Sequence, residues 1–284
     1  MPEKVEQMPQ FFDLSGMTRL DIKHDKVMLQ TMRGAFLRHG MLGLRHVFPK
    51  DLIKSLREAY FRQYSIRDKQ ETDELFEDVG DGDRYMFTVE MRPPFNHRLL
   101  YDSPLLFPVL QRILVEQIII QSFGIVTSMP GSQTQHIHQD HPDLFQEMSQ
   151  FSKLMPCYAI TVAIPLVDFN EQTGTTAIWP GSHKNNKMVP DGKSHQCEGA
   201  VTSYPQTGDC VMWDFRTHHC GTPNLTSRER PLLYLTVSRP WFDDTYNFEK
   251  WKGRAPLVLN QEFLDSLEDK HKLLFPRATV ASSA

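Results

Sequence analysis

From Gln117 onward the chain breaks into short segments rich in β-branched and aromatic residues: Ile118–Met129, Tyr158–Leu166, Thr175–Pro180, Asp209–Phe215 and Leu232–Ser238. Turn-forming residues separate them, as expected of consecutive short strands. Strands of this length cannot bury their apolar faces singly. They must stack as two sheets or close into a jelly roll.

The upstream half reads differently. Val27, Met28, Met32, Ala35, Phe36 and Leu37 recur at helical spacing and predict a helix over Asp25–His39. A second helix is predicted over Lys50–Tyr64 after Pro49, and a third over Asp102–Glu116, with Ser103 as N-cap and Pro104 at the first helical position. Short strands are predicted at Met41–Phe48 and at Arg84–Glu90, the latter ended by Pro93-Pro94. The expectation is a mainly β fold with flanking helices. At 284 residues the chain is expected to form one domain: helical support over about 20–116, a β core over 117–242 and a C-terminal extension over 243–284. Residues 1–20 are expected to form a loosely ordered arm, 71–82 a loop or flap, and 143–156 a lid; 184–198 is a second polar excursion.

Composition narrows the function classes. Hydrophobic residues at 40% and charged residues at 23% allow a sizeable core, and the formal net charge is −4. There is no clustered Lys/Arg run, which argues against nucleic acid as an obligate partner. Stretches such as Ile118-Ile119-Ile120 are too short to span a bilayer, and the N-terminus shows no apolar leader. Cys157, Cys197, Cys210 and Cys220 form no CxxC pair and read as reduced thiols, consistent with a cytoplasmic protein.

The densest chemical signal is Gln135-His136-Ile137-His138-Gln139-Asp140. In a strand, alternate side chains share a face, so His138 and Asp140 would point together, and His136 with them. A second histidine source lies in Thr217-His218-His219-Cys220-Gly221. Two imidazoles and one carboxylate on one face of an octahedral ion leave positions open for a chelating cosubstrate and O2, the arrangement of Fe(II) oxygenases. His136 and His138 with a carboxylate would equally suit zinc and a hydrolase.

Three further runs accompany this motif. They are Asn170–Lys184 with its Pro180-Gly181-Ser182-His183 turn, Gly208–Asp214, and His219-Cys220-Gly221-Thr222-Pro223-Asn224 followed by Arg230-Pro231. Together with His138-Gln139-Asp140 they resemble the phytanoyl-CoA dioxygenase family over about Phe36 to Phe242. The resemblance implies a double-stranded β-helix (jelly-roll, cupin-like) core, with Fe(II) as cofactor and 2-oxoglutarate and O2 as cosubstrates. It implies His138, Asp140 and His219 as metal ligands. His219 is preferred over His218 because the family carries a glycine two residues after the ligand, matched by Gly221. Arg230 stands at the position of the arginine that pairs with the far carboxylate of 2-oxoglutarate, where a planar guanidinium fits well. Thr176 matches a position that helps bind the same carboxylate, and Gln135 or His136 is expected near the cosubstrate or metal. Pro180-Gly181-Ser182-His183 is read as a structural turn rather than a nucleophile and base.

The implied reaction is oxidation of a C–H bond of a small organic molecule, usually hydroxylation, with release of succinate and CO2; desaturation, ring closure and ketone formation are variants. Asp140 argues for oxygenation, since halogenating relatives lack that carboxylate. Substrate choice is expected among Arg84, Tyr85, Phe87, Arg92, Phe95, Phe145, Met148, Trp213 and Trp241. No basic patch suits the nucleotide of a CoA ester. The competing reading outside enzymology is a catalytically silent β-helix protein that binds metal or ligand.

Overall fold

The computed structural model describes residues 11–65, 76–80, 83–185, 189, 197–248 and 255–281. The N-terminal strands are β1 (Phe11–Asp13), β2 (Met41–Arg45), β3 (Glu77–Asp78), β4 (Arg84–Thr88) and β5 (Glu90–Met91). Next come β6 (Ile119–Ser128), β7 (Ala159–Pro165), β8 (Thr176–Ile178), β9 (Val201–Thr202), β10 (Cys210–Asp214), β11 (His219–Gly221) and β12 (Arg230–Ser238). β13 (Val258–Leu259) and β14 (Thr279–Val280) complete the set. The helices are α1 (Arg19–His24), α2 (Lys26–His39), α3 (Lys50–Gln63) and α4 (Phe107–Ile113), then α5 (Ser149–Leu154), α6 (Thr245–Phe248), α7 (Gln261–Ser266) and α8 (Asp269–Lys272). No helix among the described residues is long and apolar enough to cross a membrane.

Eight strands form the main sheet in the order β1-β2-β10-β7-β12-β6-β4-β3, and β11-β8-β9 form a second, three-stranded sheet. This is the expected jelly roll. Strand pleating divides the main sheet into two faces. Phe87, Phe123, Ile125, Leu233 and Leu235 join the helical residues Met32, Phe36, Leu52, Leu56 and Tyr60 in one large core. The opposite face lines a cavity. Because the central strands are buried on both faces, β7 carries no exposed residue and alternation is absent from its sequence.

α2 shows how local chemistry sets an element. The Asp25 side chain accepts from the Met28 N–H at 2.8 Å and starts the helix. Gly40 ends it in the left-handed region at φ 72, where glycine meets no Cβ penalty. The Gly40 carbonyl then accepts from Thr217 Oγ1 at 2.9 Å, which ties this helix end to the segment leading into β11.

Several sequence expectations need correction. The helix expected over Asp102–Glu116 covers only Phe107–Ile113. Ser103 does cap a turn, accepting from the Leu106 N–H at 3.2 Å. Pro108 has no N–H to donate, so it must lie in the first helical turn, which moves the start to Phe107. The segment expected to be a loose arm contributes β1, paired in parallel with β2, and Leu14 is buried; residues 1–10 lie outside the described residues. The C-terminal segment is built in: β13 pairs with β5 and β14, and Phe263 and Phe275 pack on Tyr101. The 143–156 segment holds a short 3-10 turn and α5. Of the expected flap, residues 71–75 and 81–82 lie outside the described residues, while Glu77 and Asp78 form an edge strand on β4. Residues 186–188 and 190–196 of the polar excursion lie outside as well.

Candidate metal centre and active site

The inner face of the main sheet presents its side chains in rows fixed by strand register. Arg84 and Arg230 both pair with Ser128, giving one row across β4, β6 and β12. The next row is Met86, Val126 and Leu232, and a later one joins Ser122, Thr236 and Thr161. These residues wall a cavity of about 390 Å³ that also receives His138, Asp140, Thr176 and His219. The cavity is thus cationic at one end, apolar in the middle and ligand-bearing opposite.

His138 and His219 are brought together by backbone. Each donates its N–H to the other's carbonyl, at 3.0 and 2.9 Å. The bridge is isolated, so the strand expected through residues 136–140 is absent. His138 Nδ1 lies 2.9 Å from the His136 carbonyl and His219 Nδ1 lies 3.0 Å from the Thr217 carbonyl. Those contacts fix both rings through Nδ1 and leave Nε2 as the ligand atom each can offer. Asp140 is fixed with equal economy: its Oδ2 accepts from Thr161 Oγ1 at 2.6 Å and from Trp213 Nε1 at 2.8 Å. Its Oδ1 is left facing His219 Nε2 at 3.3 Å. One nitrogen or oxygen from each of His138, Asp140 and His219 lies within 4.8 Å of the others, a spacing that can hold a metal ion. His136 and His218 do not join this cluster. His136 is exposed at the cavity edge, and the His218 N–H is bound by Ser182 Oγ at 2.8 Å.

The electrostatics agree with a ligand set. Burial and the neighbouring His219 push His138 down to about 3, so it is a neutral imidazole. Burial opposes ionisation of both Asp140 and His219, but each outweighs that for the other. Asp140 is held below the ordinary carboxylate value and His219 above the ordinary imidazole value.

At the other end, Arg230 donates to the Thr173 carbonyl at 2.8 Å, the Thr222 carbonyl at 3.1 Å and Ser128 Oγ at 2.6 Å. Arg84 donates to the same Ser128 Oγ at 2.8 Å, and to the carbonyls of Gln133 and Thr222 at 3.2 and 3.3 Å. Its Nη1 is buried and has no acceptor among the described residues. Neither guanidinium has an ion pair among the described residues. Burial, then the charge of Arg84, lowers Arg230 to about 9. Gly221 permits this arrangement, since a Cβ there would stand 2.8 Å from the Arg84 guanidinium carbon.

The remaining candidates separate clearly. Gln135 straps two walls together, donating to the Val79 carbonyl at 2.8 Å and accepting from the Gly221 N–H at 3.0 Å. Thr176 and Trp213 line the cavity, whereas Phe87 and Phe95 are core residues. Tyr85, Arg92, Phe145, Met148 and Trp241 do not line it, so they are corrected as substrate candidates. The long 143–156 loop turns its apolar side chains outward instead, with Phe145, Met148 and Phe151 exposed. Sequence reasoning missed Thr161, Tyr234, Asp244, Tyr246 and Asn247. Only Thr161 carried a signal, as a polar residue at an inward-facing strand position. Asn247 reaches back to donate to the Asp140 carbonyl at 2.6 Å. Ser182 accepts from a backbone N–H and donates to the Trp179 carbonyl at 2.6 Å, as a structural turn requires.

The model of the phytanoyl-CoA dioxygenase family matches residues 36–232. The chain belongs to this family. Among its relatives, the iron/alpha-ketoglutarate-dependent dioxygenase okaE of Penicillium ochrochloron is 24% identical over 163 residues, covering 50% of this chain and 53% of that protein. The dioxygenase andF of Emericella variicolor is 32% identical over 103 residues, 36% of this chain and 34% of that protein. The chain thus spans about half the length, or less, of these curated relatives. The epimerase SnoN, solved with Fe3+, alpha ketoglutarate and nogalamycin RO, superimposes with a TM-score of 0.58 at 16% identity, covering 82% of this chain and 94% of its own. That likeness places this phytanoyl-CoA dioxygenase family member among jelly-roll folds.

Proposed function

We propose that this family member is an Fe(II)- and 2-oxoglutarate-dependent oxygenase that hydroxylates a C–H bond of a small organic molecule. The observation that carries the reading is the shared cavity: a His138–Asp140–His219 cluster at one end and, at the other, two buried arginines with no ion pair among the described residues. The donor set suits a ferrous ion, because two neutral nitrogens and one carboxylate oxygen leave half of an octahedron open. The Arg84 Nη1 without an acceptor suits an incoming anion.

In this reading His138, Asp140 and His219 hold iron, and Arg230 with Arg84 binds the far carboxylate of 2-oxoglutarate, with Thr176 alongside. Bound iron supplies oxygen activation coupled to conversion of 2-oxoglutarate to succinate and CO2, with the second oxygen atom entering the substrate. The chain's own residues do the positioning. Thr161 and Trp213 occupy Asp140 Oδ2, leaving Oδ1 as a single ligand atom. The Met86, Val126 and Leu232 row is apolar, excludes water from the space between the two ends and spans the carbon chain of the cosubstrate. Tyr234, Asp244, Tyr246 and Asn247 form the wall open to substrate. The presence of Asp140 favours oxygenation over halogenation, and the chain acts as one domain in which Asp244, Tyr246 and Asn247, after β12, supply part of that wall.

Anaerobic addition of Fe(II) and 2-oxoglutarate should give a weak visible charge-transfer band, and admission of air should yield succinate. Asp140→Ala should abolish the band while the far-UV circular dichroism stays unchanged. A folded wild-type protein that binds iron yet shows neither band nor succinate would refute the proposal. A protein that hydrolyses esters or amides with zinc would support the hydrolase instead.

A further inference from the structure

Two of the four thiols meet. Cys220 is buried on β11, and its Sγ lies 3.8 Å from Sγ of Cys197. Successive strand residues point to opposite faces, so His219 and Gly221 face the cavity and Cys220 faces away from it. There it packs with Ile137, Ala177 and Trp179. The turn at 197–200 covers that cluster. It is fastened by the Ala200 N–H donating to the Cys197 carbonyl at 3.0 Å and by Trp179 Nε1 donating to the Glu198 carbonyl at 2.9 Å. Cys197 itself is half-buried, and Glu198 and Gly199 beside it are exposed. Cys157 and Cys210 are buried elsewhere in the main core.

We propose that Cys197 and Cys220 form a reversible thiol–disulfide pair on the outer face of the strand that carries His219, oxidised by small-molecule disulfides of the glutathione class. The roles follow from access. The Cys197 thiolate attacks one sulfur of the external disulfide; a mixed disulfide forms and one glutathione thiolate leaves. Cys220 then attacks the Cys197 sulfur, giving up its proton to the departing glutathione sulfur as the new S–S bond forms, so that the second glutathione leaves as a thiol. Two protein thiols lose two electrons and two protons, and one external disulfide becomes two thiols. The contact between the sulfurs also favours the thiolate on the more accessible Cys197 over one on Cys220, which suits Cys197 as the attacking group.

Bond formation brings the sulfurs from 3.8 Å to about 2.05 Å. β11 is held by its pairing with β8 and by the His138–His219 bridge, so the movement falls on the 197–200 turn. The disulfide therefore forms without displacing His219, and it pins the turn to the sheet.

The test equilibrates the full-length chain in reduced and oxidised glutathione buffers, quenches with acid and alkylating agent, and maps the peptides by mass. The expected result is one intramolecular Cys197–Cys220 cross-link, lost on adding dithiothreitol. Cys220→Ser should trap glutathione on Cys197 as a stable mixed disulfide, and Cys197→Ser should leave Cys220 reduced. A cross-link involving Cys157 or Cys210, or wild-type protein that accumulates glutathionylated Cys197 without closing the pair, would overturn the proposal. Should a variant not fold, the wild-type map alone decides between these outcomes.

Discussion

Replacing Arg84 by methionine should move two properties in opposite directions. In the cosubstrate-free protein Arg84 is 1% exposed and makes no ion pair among the described residues. A buried, unpaired charge carries a desolvation cost of several kcal/mol, here raised by the second guanidinium on the same Ser128. Methionine keeps most of the stem volume. Ser128 Oγ and the Thr222 carbonyl retain Arg230 as donor, and only the Gln133 carbonyl loses its side-chain partner. That loss costs about 1 kcal/mol, less than the relief, so the melting temperature without cosubstrate should rise. Binding of 2-oxoglutarate should weaken. One charge-assisted hydrogen bond is worth about 1.5–3 kcal/mol, which corresponds to roughly 10- to 150-fold in affinity. Titrating the anaerobic Fe(II) protein with 2-oxoglutarate, read at the charge-transfer band, measures the second change, and scanning calorimetry the first. An unchanged affinity would remove Arg84 from the cosubstrate site. A lower melting temperature would make it a structural pillar of the sheet.

Trp213→Phe removes one of the two donors on Asp140 Oδ2 while keeping an aromatic ring beside His219. Iron affinity should fall about tenfold, the lower end for loss of a ligand-orienting partner; competition titration against a chelator would disprove this by returning equal constants. Iron binding should also depend on pH in a definite sense. The folded value of His219 is raised above 6.5, so in the metal-free protein its proton adds stability that is present below 6.5 and lost as pH rises through the folded value. A ligand must be neutral, so iron affinity should increase with pH across that same window. His138, at about 3, adds no competing proton there. Calorimetry in buffers of different ionisation enthalpy should detect proton release on iron binding near pH 6.5, and binding without it would contradict the His219 assignment.

The β core was legible because period and punctuation agree: Ile119–Ser128 and Arg230–Ser238 fall within a residue or two of their expected bounds. The start of α4 was misplaced because the signal at Ser103 is real but caps a turn, and the decisive residue was Pro108, which fell inside the expected helix. The convergence of His138, Asp140 and His219 was legible because HxD and the glycine two residues after His219 are local patterns. The pairing of a second arginine with Arg230 was not, since Arg84 was read only as a candidate for substrate choice. Arg84 and Arg230 become neighbours only through strand register across β6, which no short motif encodes. Asn247 is invisible for a similar reason, since its contact is with a backbone carbonyl and leaves no side-chain signature at the other end.

The main-chain exchange between His138 and His219 has a consequence for divergence. Two residues that exchange backbone hydrogen bonds keep their spacing whatever side chains surround them, so the mouth of the barrel can be rewritten without retuning the candidate ion-binding pair. Changes at Asp244 or Tyr246, after β12, would reshape a wall and alter which molecules enter, while the reactive end stayed the same. A scaffold of this kind lets new specificities accumulate one loop at a time.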